Sequence, residues 1–291
     1  ATSIGRSIAS NGKPLYDYFE GYNGDQMAAE LNVQSKQSVE KVTAANIDCF
    51  TTVSELTARE CKQLLERECD VILENGFEKD FVPAGKAFAA KRKVARDVRL
   101  RVARALTGDV ISDDAIIINL GGRMEMRNKG IDMFLESMAR LNACGELERD
   151  VVAFIDVPAW SGSAREDLVK RLRSDRQSWD TPLPNPYVTH ELNNFYDDAI
   201  ACTIRRLQID NRSGKNRVKV IYVPCYLKGN DGVFDMEYYD VLIGNDLSVY
   251  PSYYEPWGYT PLESAAFHIP TITTNLAGFG LWVNSVLGRR A

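Results

Sequence analysis

Short β-branched runs alternate with stretches of helical period along most of the chain. The clearest runs are Cys49 to Val53, Val71 to Leu73, Ala115 to Leu120, Val151 to Val157, Val218 to Val223, Leu247 to Tyr250 and Thr271 to Thr274. Such alternation marks strand-helix-strand units around a mostly parallel sheet, so an α/β fold is predicted. Between the runs, Ser35 to Ala45 reads as a helix carrying apolar Val39 and Val42. Ser54 is placed to cap a further helix whose buried face is Leu56, Cys61, Leu64 and Leu65, because a serine oxygen accepts from the free amides of a first helical turn. Asn75-Gly76 then turns the chain.

Ala84 to Leu106 is strongly basic, with Lys86, Lys91, Arg92, Lys93, Arg96, Arg99, Arg101 and Arg104 against one acid, Asp97. This pattern predicts a solvated helix face or a contact to an acidic partner surface. Thr107-Gly108-Asp109 comes next and precedes the buried-looking run Ala115 to Leu120. The expected boundary between two sheets therefore lies near residue 110, dividing the chain into residues 1–110 and 111–291. Ser161 to Arg217 is longer than an ordinary crossover and rich in charge, which predicts an insertion, helical in part. No repeat of fixed period and no low-complexity tract is visible.

Composition narrows the classes. A chain of 291 residues, 45% hydrophobic and 26% charged, has core enough for two domains and excludes a disordered, collagen-like or disulfide-stapled protein. With 35 basic against 40 acidic residues, no overall positive field exists to attract nucleic acid or anionic lipid. Six scattered cysteines read as free thiols of a reducing compartment, and a cytoplasmic location is expected. With no Cys-x-x-Cys and only His190 and His268, ligands for a structural metal are scarce. No apolar stretch approaches the roughly 18 residues of a membrane span. The first residue is Ala1, and the last helix-like stretch runs into Gly288-Arg289-Arg290-Ala291 without a closing element, the pattern of a fragment.

Two constellations could carry chemistry. Leu120-Gly121-Gly122-Arg123 is succeeded by Asn128-Lys129-Gly130 and an apolar helix. Glycines at the carboxyl end of a parallel strand let backbone approach a ligand, and two nearby cations suit a diphosphate; they also serve as simple turn residues. The second is Tyr250-Pro251-Ser252-Tyr253-Tyr254-Glu255-Pro256-Trp257-Gly258-Tyr259-Thr260-Pro261-Leu262-Glu263. Thr260-Pro261-Leu262-Glu263 reads as a helix start with Thr260 at the cap, and Glu263 is then either a capping-box residue or a ligand contact. Glu255 is either a surface charge or an acceptor for the hydroxyls of a polar ligand such as a sugar. Trp257 is either a core anchor or part of that site. His268 reads as a packing residue.

The second stretch, with Thr273-Thr274-Asn275-Leu276-Ala277-Gly278-Phe279-Gly280 behind it, closely resembles the donor-site signature of glycogen synthases of the animal and fungal type. Ala1-Thr2-Ser3-Ile4-Gly5-Arg6, Phe50 to Ser54, Asn75-Gly76, Gly122-Arg123 with Asn128-Lys129-Gly130, Thr189-His190, Thr203 to Arg206 and Arg217 to Ile221 match that family's landmarks in order. The Glu, seven intervening residues, Glu spacing within this motif is nearly diagnostic.

The resemblance implies two Rossmann-like domains of the glycosyltransferase B fold, the N-terminal one incomplete. It implies transfer of glucose from UDP-glucose to the non-reducing end of an α-1,4-glucan, with retention of configuration. By motif, Arg123 and Lys129 hold the donor diphosphate, Glu255 contacts the transferred glucose and Glu263 the ribose. Tyr238 stacks on uracil, and Trp257, Gly258, Tyr259 and Thr260 complete the donor loop. Glycogen or another α-1,4-glucan is the implied acceptor and a homo-oligomer the implied assembly, with neither nucleic acid nor membrane as a partner. No cofactor and no metal are implied, since no Asp-x-Asp element is present to hold a cation on the diphosphate. The chain departs from the family in lacking its first strands, with their glycine-rich loop and active-site histidine, and its closing helices with an arginine cluster. Val39-Glu40-Lys41 replaces a more aromatic helix, and His190 reads as a structural or interface residue. The alternatives are another B-fold transferase, of the sucrose or trehalose type, and a UDP-binding or assembly module without catalysis.

Overall fold

The buried β-branched runs assemble into one five-stranded parallel sheet in the computed structural model, which describes residues 1–288 apart from 175, 177, 213 and 215. Ahead of that sheet lie helices α1 (Ser3–Ser10), α2 (Gly24–Glu30), α3 (Gln34–Asn46) and α4 (Glu55–Leu64). The two-residue strands β1 (Thr51–Thr52) and β2 (Val71–Ile72) pair in parallel around α4. The long helix α5 (Gly85–Thr107) leads into β3 (Ile116–Gly121), α6 (Ile131–Ala143) and β4 (Val151–Asp156). Next come β5 (Ser161–Ala164), α7 (Glu166–Arg173), β6 (His190–Leu192), α8 (Ala199–Arg206) and β7 (Val218–Val223). The described chain closes with α9 (Tyr238–Leu242), β8 (Leu247–Tyr250), α10 (Tyr259–Ala266), β9 (Thr271–Thr273) and α11 (Gly278–Leu287). Arg289 to Ala291, part of the tail read as lacking a closing element, lie outside the described residues.

The sheet runs in the order β7-β4-β3-β8-β9. Taken in chain order its strands are therefore third, second, first, fourth and fifth, the doubly wound arrangement whose direction of winding reverses between β3 and β8. Ile118, Leu120, Val151, Ala153, Val218 and Val220 face one core with α6 and α8, and Ile117, Val152, Phe154 and Ile221 face the other with α5. Burial on both faces is why these strands read as continuous apolar runs rather than alternating ones.

In the N-terminal unit, Ser54 caps α4 as expected. Its Oγ accepts from the Thr57 amide at 3.2 Å while Thr57 Oγ1 accepts from the Ser54 amide, also at 3.2 Å. Leu56, Cys61, Leu64 and Leu65 are all buried. Helix α3 turns differently from its apolar pattern: Val39 and Val42 are exposed, and the buried positions are Gln37 and Ala44. The reason is polar, since Gln37 Nε2 donates to the Leu64 carbonyl at 2.6 Å and satisfies the open end of α4.

The basic helix α5 is a solvated face only in part: Lys86, Lys91 and Lys93 are exposed, whereas its arginines turn back onto the protein. Arg92 and Arg96 both pair with Asp246, at 2.6 and 2.5 Å. Arg101 donates to the carbonyls of Leu172 and Ser174, and Arg99 is fully buried against Asp156 at 2.8 Å. Leu100, Val102, Ala103 and Leu106 join the core of the large sheet. Helix α5 thus precedes residue 110 in the chain yet packs on the sheet formed by later residues. The expected insertion, where described, is a short antiparallel pair, β5 with β6, and α7, while α8 returns to the sheet as an ordinary crossover helix. All six cysteines are free. Among the described residues no helix is long and apolar enough to cross a membrane.

Candidate active site

In open α/β sheets the crevice forms outside the carboxyl ends of the strands, where the winding reverses. A cavity of about 670 Å³ lies there, walled by the segments beyond β3, β4, β7 and β8. Arg123, Lys129, Tyr238, Glu255, Tyr259, Thr260 and Glu263 all line it. These residues are widely spaced in the chain, and the strand order is what gathers them.

The loop from β3 to α6 sets the cations. Gly130 adopts φ +65°, and a Cβ there would lie 1.9 Å from the Pro251 carbonyl oxygen. Only glycine allows the loop to press so closely on the segment after β8. Asn128 reinforces the approach, its carbonyl accepting from the amides of Tyr253 and Tyr254 at 3.0 and 3.2 Å. Lys129 is consequently delivered to Glu255, and the two form an ion pair with 14% of each side chain exposed. Arg123 is more open, at 58%, and lies 3.2 Å from Glu125.

The glutamate that was ambiguous in the sequence is resolved. Gly258, at φ +112°, takes the cap of α10, so the helix begins at Tyr259 and Thr260 is its second residue rather than its cap. Glu263 does not fold back as a capping-box residue. Its carboxylate accepts from the Tyr239 hydroxyl at 3.0 Å and turns to the cavity. Burial pushes its carboxyl above the ordinary range, and the tyrosine bond opposes that shift. Burial likewise raises the Tyr238 hydroxyl well above the usual tyrosine range. That hydroxyl lies 3.9 Å from the place of a Cβ on Gly121.

Trp257 is a correction. It is 4% exposed and packs against Phe279 and Trp282 at ring distances of 5.9 and 6.1 Å, so it anchors α11 and does not line the cavity. Its neighbour Gly258 also lies off the wall, but a Cβ there would approach Glu255 Cγ to 3.4 Å, so its bare backbone leaves room for that side chain.

Sequence reasoning missed Asp156, Lys228 and the Cys225 to Leu227 segment, which complete the wall. Their signal was positional: each stands just at or beyond the carboxyl end of β4 or β7. Lys228 adds a third cation, 5.4 Å over the Tyr226 ring. Burial raises the Cys225 thiol to about 12, which disfavours its thiolate form. His190, Cys225 and Asp231 approach one another within 4.8 Å. Both imidazole nitrogens are nonetheless engaged, with Thr189 Oγ1 and the Asp231 carbonyl, each at 2.9 Å. The Asp231 carboxylate is taken by the amides of Val233, Phe234 and Asp235. His190 is thus a structural residue, as expected. His268 packs 5.6 Å from the Phe88 ring.

A family model described as glycogen synthase matches residues 1–182 and 164–290. Among curated proteins, glycogen [starch] synthase of Neurospora crassa is 31% identical, over 99% of this chain and 48% of its own length. Isoform 2 of Saccharomyces cerevisiae is 30% identical, over 99% and 49%. The liver enzyme of Rattus norvegicus is 30% identical, over 97% and 47%. The chain therefore spans about half the length of the curated relatives it matches. Among solved structures, the catalytic domain of starch synthase IV from Arabidopsis thaliana superposes with a TM-score of 0.49 at 13% identity, covering 83% of this chain and 42% of that one.

Proposed function

The chain belongs to the glycogen synthase family, and from that premise we propose that it has the two-unit α/β architecture of the glycosyltransferase B fold and that its cavity binds UDP-glucose for transfer to an α-1,4-glucan. The observation that carries this reading is the convergence of Arg123, Lys129, Glu255 and Glu263 on one crevice at the reversal of the sheet. In this reading residues 1–110 belong to the acceptor side, except that α5 packs on the donor-side sheet.

The cations set the orientation of the donor. Lys129, Arg123 and the opening turn of α10 mark the diphosphate end, where fixed positive potential in a partly water-excluded crevice is worth most. Tyr238, Tyr226 and Leu227 offer flat and apolar surface for the base. Glu263 accepts from the ribose hydroxyls. Glu255 keeps a carboxylate oxygen for the hydroxyls of glucose while its charge remains balanced by Lys129.

In the transfer, the bond from glucose C1 to the β-phosphate oxygen breaks and C1 bonds to the 4-hydroxyl oxygen of the glucan end. The hydroxyl proton leaves with UDP. Negative charge grows on the β-phosphate as the bond stretches, and Lys129 and Arg123 interact more strongly with that state than with bound donor, which is what lowers a barrier. The full-length protein is expected to incorporate label from UDP-[14C]glucose into added glycogen. A protein that binds UDP-glucose yet incorporates none, with glycogen or with shorter α-1,4-glucans, contradicts the assignment.

A further inference from the structure

Glu255 sits between two residues that the N-terminal unit holds. Tyr254, before it, leaves the segment after β8 and buries its ring in the core of that unit, beside Ile4, Ile8, Phe19 and Leu64, with 2% exposure. Its hydroxyl donates to the Glu60 carboxylate, 3.0 Å from Oε1 and 3.2 Å from Oε2. Glu60, in α4, has no exposed surface, and it also accepts from the Thr2 amide at 2.8 Å and from the Thr2 hydroxyl. Pro256, after Glu255, offers its carbonyl to Ser54 Oγ at 2.7 Å. The Glu255 carbonyl itself accepts from the Gly278 amide at 3.0 Å.

A carboxylate withdrawn from water is expensive, and an apolar pair of similar volume would fill this core at less cost. What the acid adds is direction. It fixes the hydroxyl of Tyr254, hence the rotation of a ring one residue from the sugar-facing carboxylate, and it does so from the opposite side of the fold.

We infer that Glu60 is a positioning residue for Glu255, acting through Tyr254, so that the carboxylate facing the sugar is held in line by the N-terminal unit. The inference rests on the reading of Glu255 as the sugar contact. Glu60 lies outside the cavity wall, and its carboxylate bonds Thr2 and Tyr254 rather than Lys129 or Arg123, the residues assigned to the diphosphate.

Tyr254→Phe removes one hydroxyl and keeps the packed ring; Glu60→Gln keeps the volume of the acid. In the full-length protein each is expected to lower kcat by about ten- to a hundred-fold, as displacement of a reacting group by about an ångström does. The dissociation constant of UDP should stay within about two-fold of the parent value. The double variant should be no slower than the slower single one, because Glu60 acts on the site only through the Tyr254 hydroxyl, which Tyr254→Phe has already removed. A merely structural role would lower the thermal midpoint and leave the kcat of the folded protein intact. Retained kcat in folded Tyr254→Phe, or UDP affinity falling in step with kcat, overturns the inference. Hydrogen exchange of the amides at 253–258, measured in the chain itself, needs no turnover. It should quicken in both variants while α6 and α8 keep their protection; unchanged exchange at 253–258 overturns the link. An unsubstituted protein that transfers no glucose would count against the proposed function alone, and the exchange result would still decide whether Glu60 holds the Glu255 segment.

Discussion

Glu255→Ala in the full-length protein is expected to lower kcat by about a hundred- to a thousand-fold, the usual cost of removing one preorganised polar contact from a reacting centre. UDP should bind no more weakly than before, and a few-fold tighter if anything. The sign comes from the ion pair: Glu255 competes for Lys129, and its removal leaves that ammonium free for the diphosphate. Initial-rate kinetics with UDP-glucose, set beside a UDP titration, separate the two effects. A variant that keeps its turnover number, or one that loses UDP affinity, removes Glu255 from the sugar.

Lys129→Ala should act in the opposite sense, on the nucleotide. A charge-assisted bond to phosphate is worth about 1.5–3 kcal/mol, which corresponds to roughly a ten- to hundred-fold loss of UDP affinity. The structure adds a second contribution, because truncating Lys129 leaves the Glu255 carboxylate unbalanced beside the phosphates. Arg123→Ala should cost less, about three- to ten-fold, since its side chain is more than half exposed and its charge is screened by solvent. The order Lys129 before Arg123 is therefore the discriminating outcome. Equal effects would mean that the pairing with Glu255 does not persist in solution.

Much of this arrangement was legible in local sequence. The runs that became β3, β4, β7 and β8 were readable because strands buried on both faces have no polar alternation to blur them. Ser54 was readable as a cap because its partner is only three residues away. The glycine, lysine and glutamate motifs around the cavity were readable as residue types. Their pairing was not: Lys129 and Glu255 are 126 positions apart, and only the strand order makes them neighbours.

The failures have the same origin. Val39 and Val42 point outward because the end of α4 needs a donor and Gln37 supplies it. Arg92, Arg96 and Arg99 of α5 looked free because their partners, Asp246 and Asp156, lie on segments folded beside them from far along the chain. Trp257 was taken into the donor loop by motif, yet its ring finds Phe279 and Trp282, which arrive later in the chain. The capping-box reading of Glu263 was locally reasonable, and the positive φ of Gly258 moved the helix start ahead of it. Tyr254 belongs by sequence to the donor segment and by packing to the other unit, which no periodicity reveals.

Calorimetric titration of UDP into this chain, in buffer containing EDTA, tests most directly whether the crevice is a metal-free diphosphate site. Binding at one site per chain, unaffected by the chelator, is expected, because Lys129 and Arg123 supply the positive charge. The same titration of Lys129→Ala should give a markedly weaker isotherm. Absence of binding to the folded chain, binding that requires added magnesium, or undiminished binding by Lys129→Ala would contradict it.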